Sequence, residues 1–295
     1  MSPTNRPDGG HGTATGGTYE VRFHQEPRRA ESRNPERSRG LERDGRTLLG
    51  LCYTCAMETI EPGFEPLEGW KPVNPRTTAL IIVDMQYATG SRDAGIGKIW
   101  QEQGRSDLIE YRFGRLERLV VPNVRKLLDF FRENGLRVLY VTYGSEVADF
   151  SDLPPLVRRI ARPTNNRAGA REHEILDELK PLANEVVLNK ITANAFDSSS
   201  IDVVLRGWHT DYLVFVGVST HACVDSTARA AADRGYKCVL VEDATAGASD
   251  RLHNAALENF GAVFGRVEKT DGIIDEMGTQ LRRQRIPSVH SDRFS

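Results

Sequence analysis

The chain has 295 residues, a formal net charge of −2, 39% hydrophobic residues and four cysteines. The near-neutral balance gives no bulk attraction to nucleic acid or to an anionic membrane, no stretch reaches the run of about 20 apolar residues that spans a bilayer, and four cysteines are too few to staple a chain of this length. The expectations are a cytoplasmic, reducing setting, no nucleic-acid partner and no membrane partner.

Residues 1–56 carry nine Arg and no Lys and are rich in Gly, Pro and Ser, with few large apolar side chains before Leu48. Such a segment cannot bury enough surface to offset the entropy of ordering it, and disorder is expected. It has no apolar signal-peptide core, and Glu20, Glu26, Glu31, Glu36 and Glu42 break the acid-poor pattern of a transit peptide. Cys52 and Cys55 form a CxxC with no second pair to complete a four-ligand zinc site. Met57 precedes the first foldable segment and is a candidate start. The division expected is a disordered segment over 1–56, one folded domain over 57–285 and a polar tail over 286–295.

From Thr78 to Asp84 a short apolar run predicts a strand buried on both faces. Residues 115–133 have helical spacing, closed by Asn134-Gly135. Strands are expected at 136–143, 185–190, 212–217, 236–243 and 261–264, and helices at 171–180, 198–206 (capped by Asp197 or Ser198), 223–234, 250–260 (capped by Ser249 or Asp250) and from Asp271 onward. The stretch from Gly90 to Arg115 reads as a polar and aromatic insertion, a lid or an oligomer contact. Alternation of strand and helix predicts an α/β fold with a mostly parallel sheet. In such sheets ligands bind beyond the carboxyl ends of the strands. Asp84, Lys190 and Cys223 all fall on that edge, although far apart in the sequence.

Each of the three has two readings. Cys223 is either a small buried hydrophobe or a nucleophile whose thiolate would be favoured by a helix N-terminus and a nearby Lys, below the usual pKa of about 8.5. Asp84 is a cap or a salt-bridge partner, or else a proton carrier for the thiol. Lys190 is a solvated surface group or a charge stabiliser. Together they supply a nucleophile, a base and a cation. Arg92, Arg112, Trp100, Tyr143 and His221 are possible pocket residues; surface charge is the better reading for the arginines and packing for Trp100 and Tyr143. Cys238 is expected in the core, and the charges of Arg282, Arg283 and Arg285 on a solvated tail.

Three motifs carry a resemblance to a known family. Leu80-Ile-Ile-Val-Asp84-Met-Gln86, Lys190-Ile-Thr-Ala-Asn-Ala-Phe196 and Gly217-Val-Ser-Thr-His-Ala-Cys223-Val resemble, in order, the opening, lysine and nucleophile motifs of the isochorismatase-like, nicotinamidase-related cysteine hydrolases. The likeness covers about residues 75–275. It implies a Rossmann-like three-layer αβα sandwich, a catalytic triad of Asp84, Lys190 and Cys223, and a cis peptide between Val218 and Ser219. An oxyanion hole of the Ser219 and Cys223 N–H groups and substrate contacts from Gln86, Tyr143, Phe196 and His221 are also implied. The implied reaction is hydrolysis of a C–N bond in a small amide, ureido or N-carbamoyl compound through a thioester, by a homo-oligomer. Vinyl-ether hydrolysis of the isochorismatase type and a catalytically silent binding protein on the same fold are the alternatives. Between Asp84 and Glu146 there is no His, where nicotinamidases carry metal ligands, so no metal and no other cofactor are expected. Asn194 stands where a Ser is usual, and the run after Gln86 departs from the family pattern.

Overall fold

A computed structural model describes residues 73–285. The expectations for 1–56, for Cys52 and Cys55, for Met57 and for the 286–295 tail lie outside the described residues.

Strand β1 (Thr78–Val83) is buried along its whole length. After it come a single turn, α1 (Tyr87–Gly90), then α2 (Gly95–Glu102), α3 (Ser106–Arg115), a π-helical turn over Leu116–Val120, and α4 (Val121–Glu133). The helix predicted over 115–133 is therefore longer, and it is interrupted. Pro122 explains the interruption: it has no N–H to donate, and its ring would collide with a carbonyl one turn back. The wider turn ends with Val121 N–H donating to the Leu116 carbonyl, five residues back. Strand β2 (Arg137–Tyr143), helix α5 (Pro155–Ala161) and strand β3 (Val186–Lys190) follow. The helix expected over 171–180 is absent. Two short 3-10 turns stand there, because the intervening backbone runs extended and pairs with the loop after β1: Tyr87 N–H donates to the Glu174 carbonyl (3.0 Å) and Leu176 N–H to the Met85 carbonyl (3.0 Å).

The helix predicted over 198–206 is split into α6 (Ala195–Ser198) and α7 (Ile201–Gly207). Neither expected cap is used as one: Asn194 caps α6 through the Phe196 N–H, while Ser198 Oγ accepts from Ile191 and Thr192 N–H. Strand β4 (Tyr212–Val218) leads through a π-helical turn at Thr220–Val224 into α8 (Asp225–Ala232). Strand β5 (Lys237–Ala246) runs past its expected end and is followed by α9 (Asp250–Val263), capped by Ser249 through Leu252 N–H. The last strand is not at 261–264, which α9 absorbs; it is β6 (Arg266–Glu268), reached after Gly265 packs against the Phe260 ring. Helix α10 (Thr270–Arg285) closes the described chain, its first turn held by the Asp243 carboxylate, which accepts from Thr270 N–H and Oγ1.

The strands form one parallel sheet in the order β3-β2-β1-β4-β5-β6. Alternate residues face opposite layers. Leu80, Ile82, Val214, Val216, Val239 and Val241 meet Phe113, Val124, Leu128, Phe131 and Met277 of α3, α4 and α10. Ala79, Ile81, Val83, Leu213, Phe215 and Leu240 meet Ile201, Leu205, Ala228, Ala231, Leu257 and Phe260 of α7, α8 and α9. This is the expected three-layer αβα sandwich. Strand order reverses between β1 and β4, which opens a crevice at their carboxyl ends. None of the described helices is long and apolar enough to cross a membrane.

The closest backbone approach at that crevice is Gly217, with φ of +111° and an ideal Cβ position 2.1 Å from the Val83 carbonyl oxygen. A methyl group there would have to part β1 from β4. Gly217→Ala is expected to lower stability by about 3 kcal/mol, summing overpacking and an unfavourable φ; urea denaturation checks it, and an unchanged midpoint would contradict it.

Candidate active site

Asp84 is the first residue past β1. Its φ of +54° turns the chain out of the sheet, while its N–H still donates to the Val141 carbonyl at 2.8 Å. Lys190 is the last residue of β3, two strands away in the sheet. Its ammonium Nζ donates to Asp84 Oδ2 at 3.0 Å with both side chains buried, and lies 5.0 Å from the centre of the Tyr143 ring. The other carboxylate oxygen, Oδ1, has no hydrogen-bond partner among the described residues. Cys223 arrives from β4. The Val218–Ser219 peptide is cis, Ser219 precedes the π-helical turn, and Val224 N–H donates to the Ser219 carbonyl (3.3 Å) as its first five-residue rung. The Cys223 N–H stands just ahead of that rung, at a helix start where backbone donors lack intrahelical acceptors. The thiol interacts with both the Asp84 carboxylate and the Lys190 ammonium. The sheet thus brings the three side chains together at its carboxyl edge.

Burial and charge set their protonation. Burial pushes the Asp84 carboxyl above its ordinary value, against the opposing pull of Lys190 and the thiol. For Lys190 burial is the largest single influence and acts downward, but the charges of and hydrogen bonds to Asp84 and Cys223 together outweigh it, so the ammonium is held above its ordinary value. Burial and then the Asp84 charge push the Cys223 thiol up to about 12, with Lys190 only partly opposing. This reverses the expectation of a depressed thiol. The cation is already spent on the carboxylate, and the site is closed enough that desolvation decides. At rest Cys223 is a neutral thiol beside a carboxylate able to accept its proton.

The other expected contacts divide. Tyr143 is buried against Lys190. His221 is half-buried, with an Nδ1 that is buried and has no partner among the described residues. Gln86 is fully buried, and its amide is committed to backbone: Oε1 accepts from Tyr143 N–H (3.0 Å), and Nε2 donates to the Tyr143 (3.1 Å) and His173 (2.8 Å) carbonyls. It props up the end of β2 rather than facing substrate. Phe196 packs against the second core, which Cys223 also borders, 6.0 Å from the Tyr236 ring with the Arg234 guanidinium over it. Arg92, half-buried at the surface and bound to Glu117, and Trp100, set edge-on to Phe113, match their plainer readings.

Arg112 does not match its own, and Arg115 beside it is also anchored inside the fold. Arg112 is 5% exposed and donates to Ser219 Oγ (3.1 Å) and, through Nε and Nη2, to the Thr89 carbonyl (3.2 and 3.1 Å). Arg115 reaches His253 Nε2 at 3.1 Å. A guanidinium only donates, so this nitrogen accepts and the proton sits on Nδ1, which faces Thr220 Oγ1 at 2.8 Å. Burial, followed by the charge of Arg115, holds the His253 imidazole down to about 4. Helix α3 is therefore anchored by these two side chains against the turn that carries Cys223 and against the end of β5. The signal for this was the i, i+3 pairing of Arg112 and Arg115 around the apolar Phe113. Among the described residues no group of three or more His, Cys, Asp and Glu is placed to hold a metal.

Comparison with known proteins agrees with this fold. The family model of the isochorismatase domain matches residues 78–272. The ureidoacrylate amidohydrolase RutB of Caulobacter segnis is 31% identical over 238 residues, covering 76% of this chain and 92% of its own. Among solved structures, a cysteine hydrolase from Pseudomonas syringae pv. phaseolicola superposes with a TM-score of 0.60 at 24% identity, over 71% of this chain and 96% of its own. The N-carbamoylsarcosine amidase of Thermoplasma acidophilum does so at 0.50 and 28% identity, over 66% and 97%.

Two measurements follow from the charges. Iodoacetamide should label Cys223 more slowly at pH 7 than it labels a free thiol, and Asp84→Asn should speed labelling about tenfold or more by removing the charge that opposes the thiolate. Faster labelling in the unmodified chain would contradict the raised thiol. For His253, the unfolded chain takes up a proton near 6.5 that the folded chain resists down to about 4. Stability is then complete above 6.5 and lost as pH falls across that window, by about 3 kcal/mol at the lower end. Urea titrations at several pH values should show this slope, and His253→Gln should flatten it.

Proposed function

The chain belongs to the isochorismatase family, and from that premise we propose that it is a cysteine hydrolase cleaving the C–N bond of a small amide, ureido or N-carbamoyl compound. The observation that carries the proposal is the buried Asp84–Lys190 pair at 3.0 Å with the Cys223 thiol against it. The names of the relatives, a ureidoacrylate amidohydrolase and an N-carbamoylsarcosine amidase, support the bond type.

In this reading Asp84 takes the thiol proton as Cys223 Sγ bonds to the substrate carbonyl carbon, and the carbonyl electron pair moves to oxygen. The oxyanion is held by the Ser219 and Cys223 N–H groups and by the field of Lys190. Collapse of the tetrahedral intermediate breaks the C–N bond, and the leaving nitrogen takes the proton from Asp84. Water then attacks the thioester, gives its proton to Asp84, and the departing sulfur recovers it. Because Asp84 begins as a base with its pKa raised, activity falls on the acid side as that carboxyl is protonated. Tyr143 and His221 line the substrate side. A folded unit over 57–285, a homo-oligomeric state and a cytoplasmic, reducing location belong to the same proposal; free Cys223 and Cys238 support the last.

Cys223→Ala should lower ammonia release from ureidoacrylate, N-carbamoylsarcosine or biuret by at least about 1000-fold, the scale of losing a covalent nucleophile. Full activity of that variant on whichever substrate the unmodified chain turns over would replace this reading with vinyl-ether chemistry, in which Asp84 acts as acid and the thiol is not needed.

A further inference from the structure

Arg112 is a buried cation without a buried anion. Lys190 is neutralised by Asp84, whereas the acids on neighbouring elements are engaged elsewhere: Asp225 by Arg229 (2.8 Å) and Asp250 by the Tyr111 hydroxyl (2.8 Å). Arg112 has only neutral partners, the Thr89 carbonyl and Ser219 Oγ. Of its five N–H donors these use three, which leaves one on each terminal nitrogen without an acceptor among the described residues. Ser219 Oγ accepts from Arg112 and has no acceptor for its own hydrogen among the described residues. The guanidinium is close enough to Cys223, Tyr143 and His221 to shift with their charges or to shift theirs.

An isolated buried charge is costly unless it is paired when the protein works. The chemistry proposed above does not pair it. At rest Asp84, Lys190 and Arg112 sum to +1 with the thiol neutral. After attack the carboxyl is neutral and the oxyanion carries the negative charge, so the sum is still +1. The excess persists at every step, so an anionic group on the substrate would cancel it where the chemistry does not.

Resting on the hydrolase reading and deepening it, we propose that the substrate is an acid: Arg112 and Ser219 form a carboxylate subsite next to the Cys223 thiol. A carboxylate takes parallel hydrogen bonds from a guanidinium, and the Ser219 hydroxyl adds a third donor. Neutral amides and ureides would leave the guanidinium unpaired and are disfavoured.

The probes are N-carbamoylglycine and its neutral amide, N-carbamoylglycinamide. In the unmodified chain kcat/KM for the acid should exceed that for the amide by at least tenfold, through KM. In Arg112→Gln the preference should collapse to about one, and Arg112→Lys should restore part of it. Binding of the same pair to Cys223→Ser, measured by calorimetry, keeps Arg112 native, so it decides the matter even if the Arg112 variants do not fold. At least tenfold tighter binding of the acid supports the subsite. Equal or tighter binding of the amide, or an acid preference that survives Arg112→Gln, overturns it. Arg112-dependent binding of the acid, with no ammonia released from it or from ureidoacrylate, N-carbamoylsarcosine or biuret, supports the subsite while removing the hydrolase reading. Turnover of both probes that depends on Cys223, with no acid preference, does the reverse.

Discussion

The buried contact between Lys190 Nζ and Asp84 Oδ2 is the constraint from which the rest of the site follows. Removing two such ions from water costs several kcal/mol each, and their attraction offsets this only when geometry is good. The geometry is fixed by the sheet. Asp84 leaves β1, Lys190 ends β3, and β2 lies between them, with Tyr143 in register with Lys190. Tyr143 is in turn held by the side-chain amide of Gln86, two residues past Asp84. The pair is thus locked from both sides, and a shift of β3 by one residue would leave a buried carboxylate alone.

That pairing also decides the state of the nucleophile. A cation next to a thiol normally lowers its pKa, but here burial raises it most and the Asp84 charge outweighs that of Lys190. In the proposed mechanism the resting thiol is therefore neutral, and the thiolate forms as the carboxylate takes the proton. The raised Asp84 suits this: a stronger base narrows the gap to the thiol it must deprotonate.

Much of this was legible before any coordinates. Apolar runs marked β1, β2 and β4, because a parallel sheet covered on both faces demands them, and the sheet-edge rule put Asp84, Lys190 and Cys223 on one side. Boundaries failed where a local rule met a tertiary one. Residues 171–180 have helical composition, but their backbone is claimed by the loop after β1. Ser198 has the chemistry of a cap but serves the turn after Lys190. Phe196 sits in the lysine motif, yet its ring turns to the second core, a choice made by Tyr236 and Arg234 from distant parts of the chain.

Arg112 marks where sequence reasoning stops for a physical reason. An arginine in a polar stretch is usually solvated, and nothing local to Tyr111-Arg112-Phe113 says that its head is covered. Coverage comes from Ser219, 107 positions away, and from the loop carrying Thr89. The two ends of the site are then charged by different logics. At Asp84 and Lys190 the charges close on each other and set the proton traffic. At Arg112 one stays open. A fold that buries a guanidinium among neutral partners alone, with no anion to offset its desolvation, is one that a charge arriving from outside can complete.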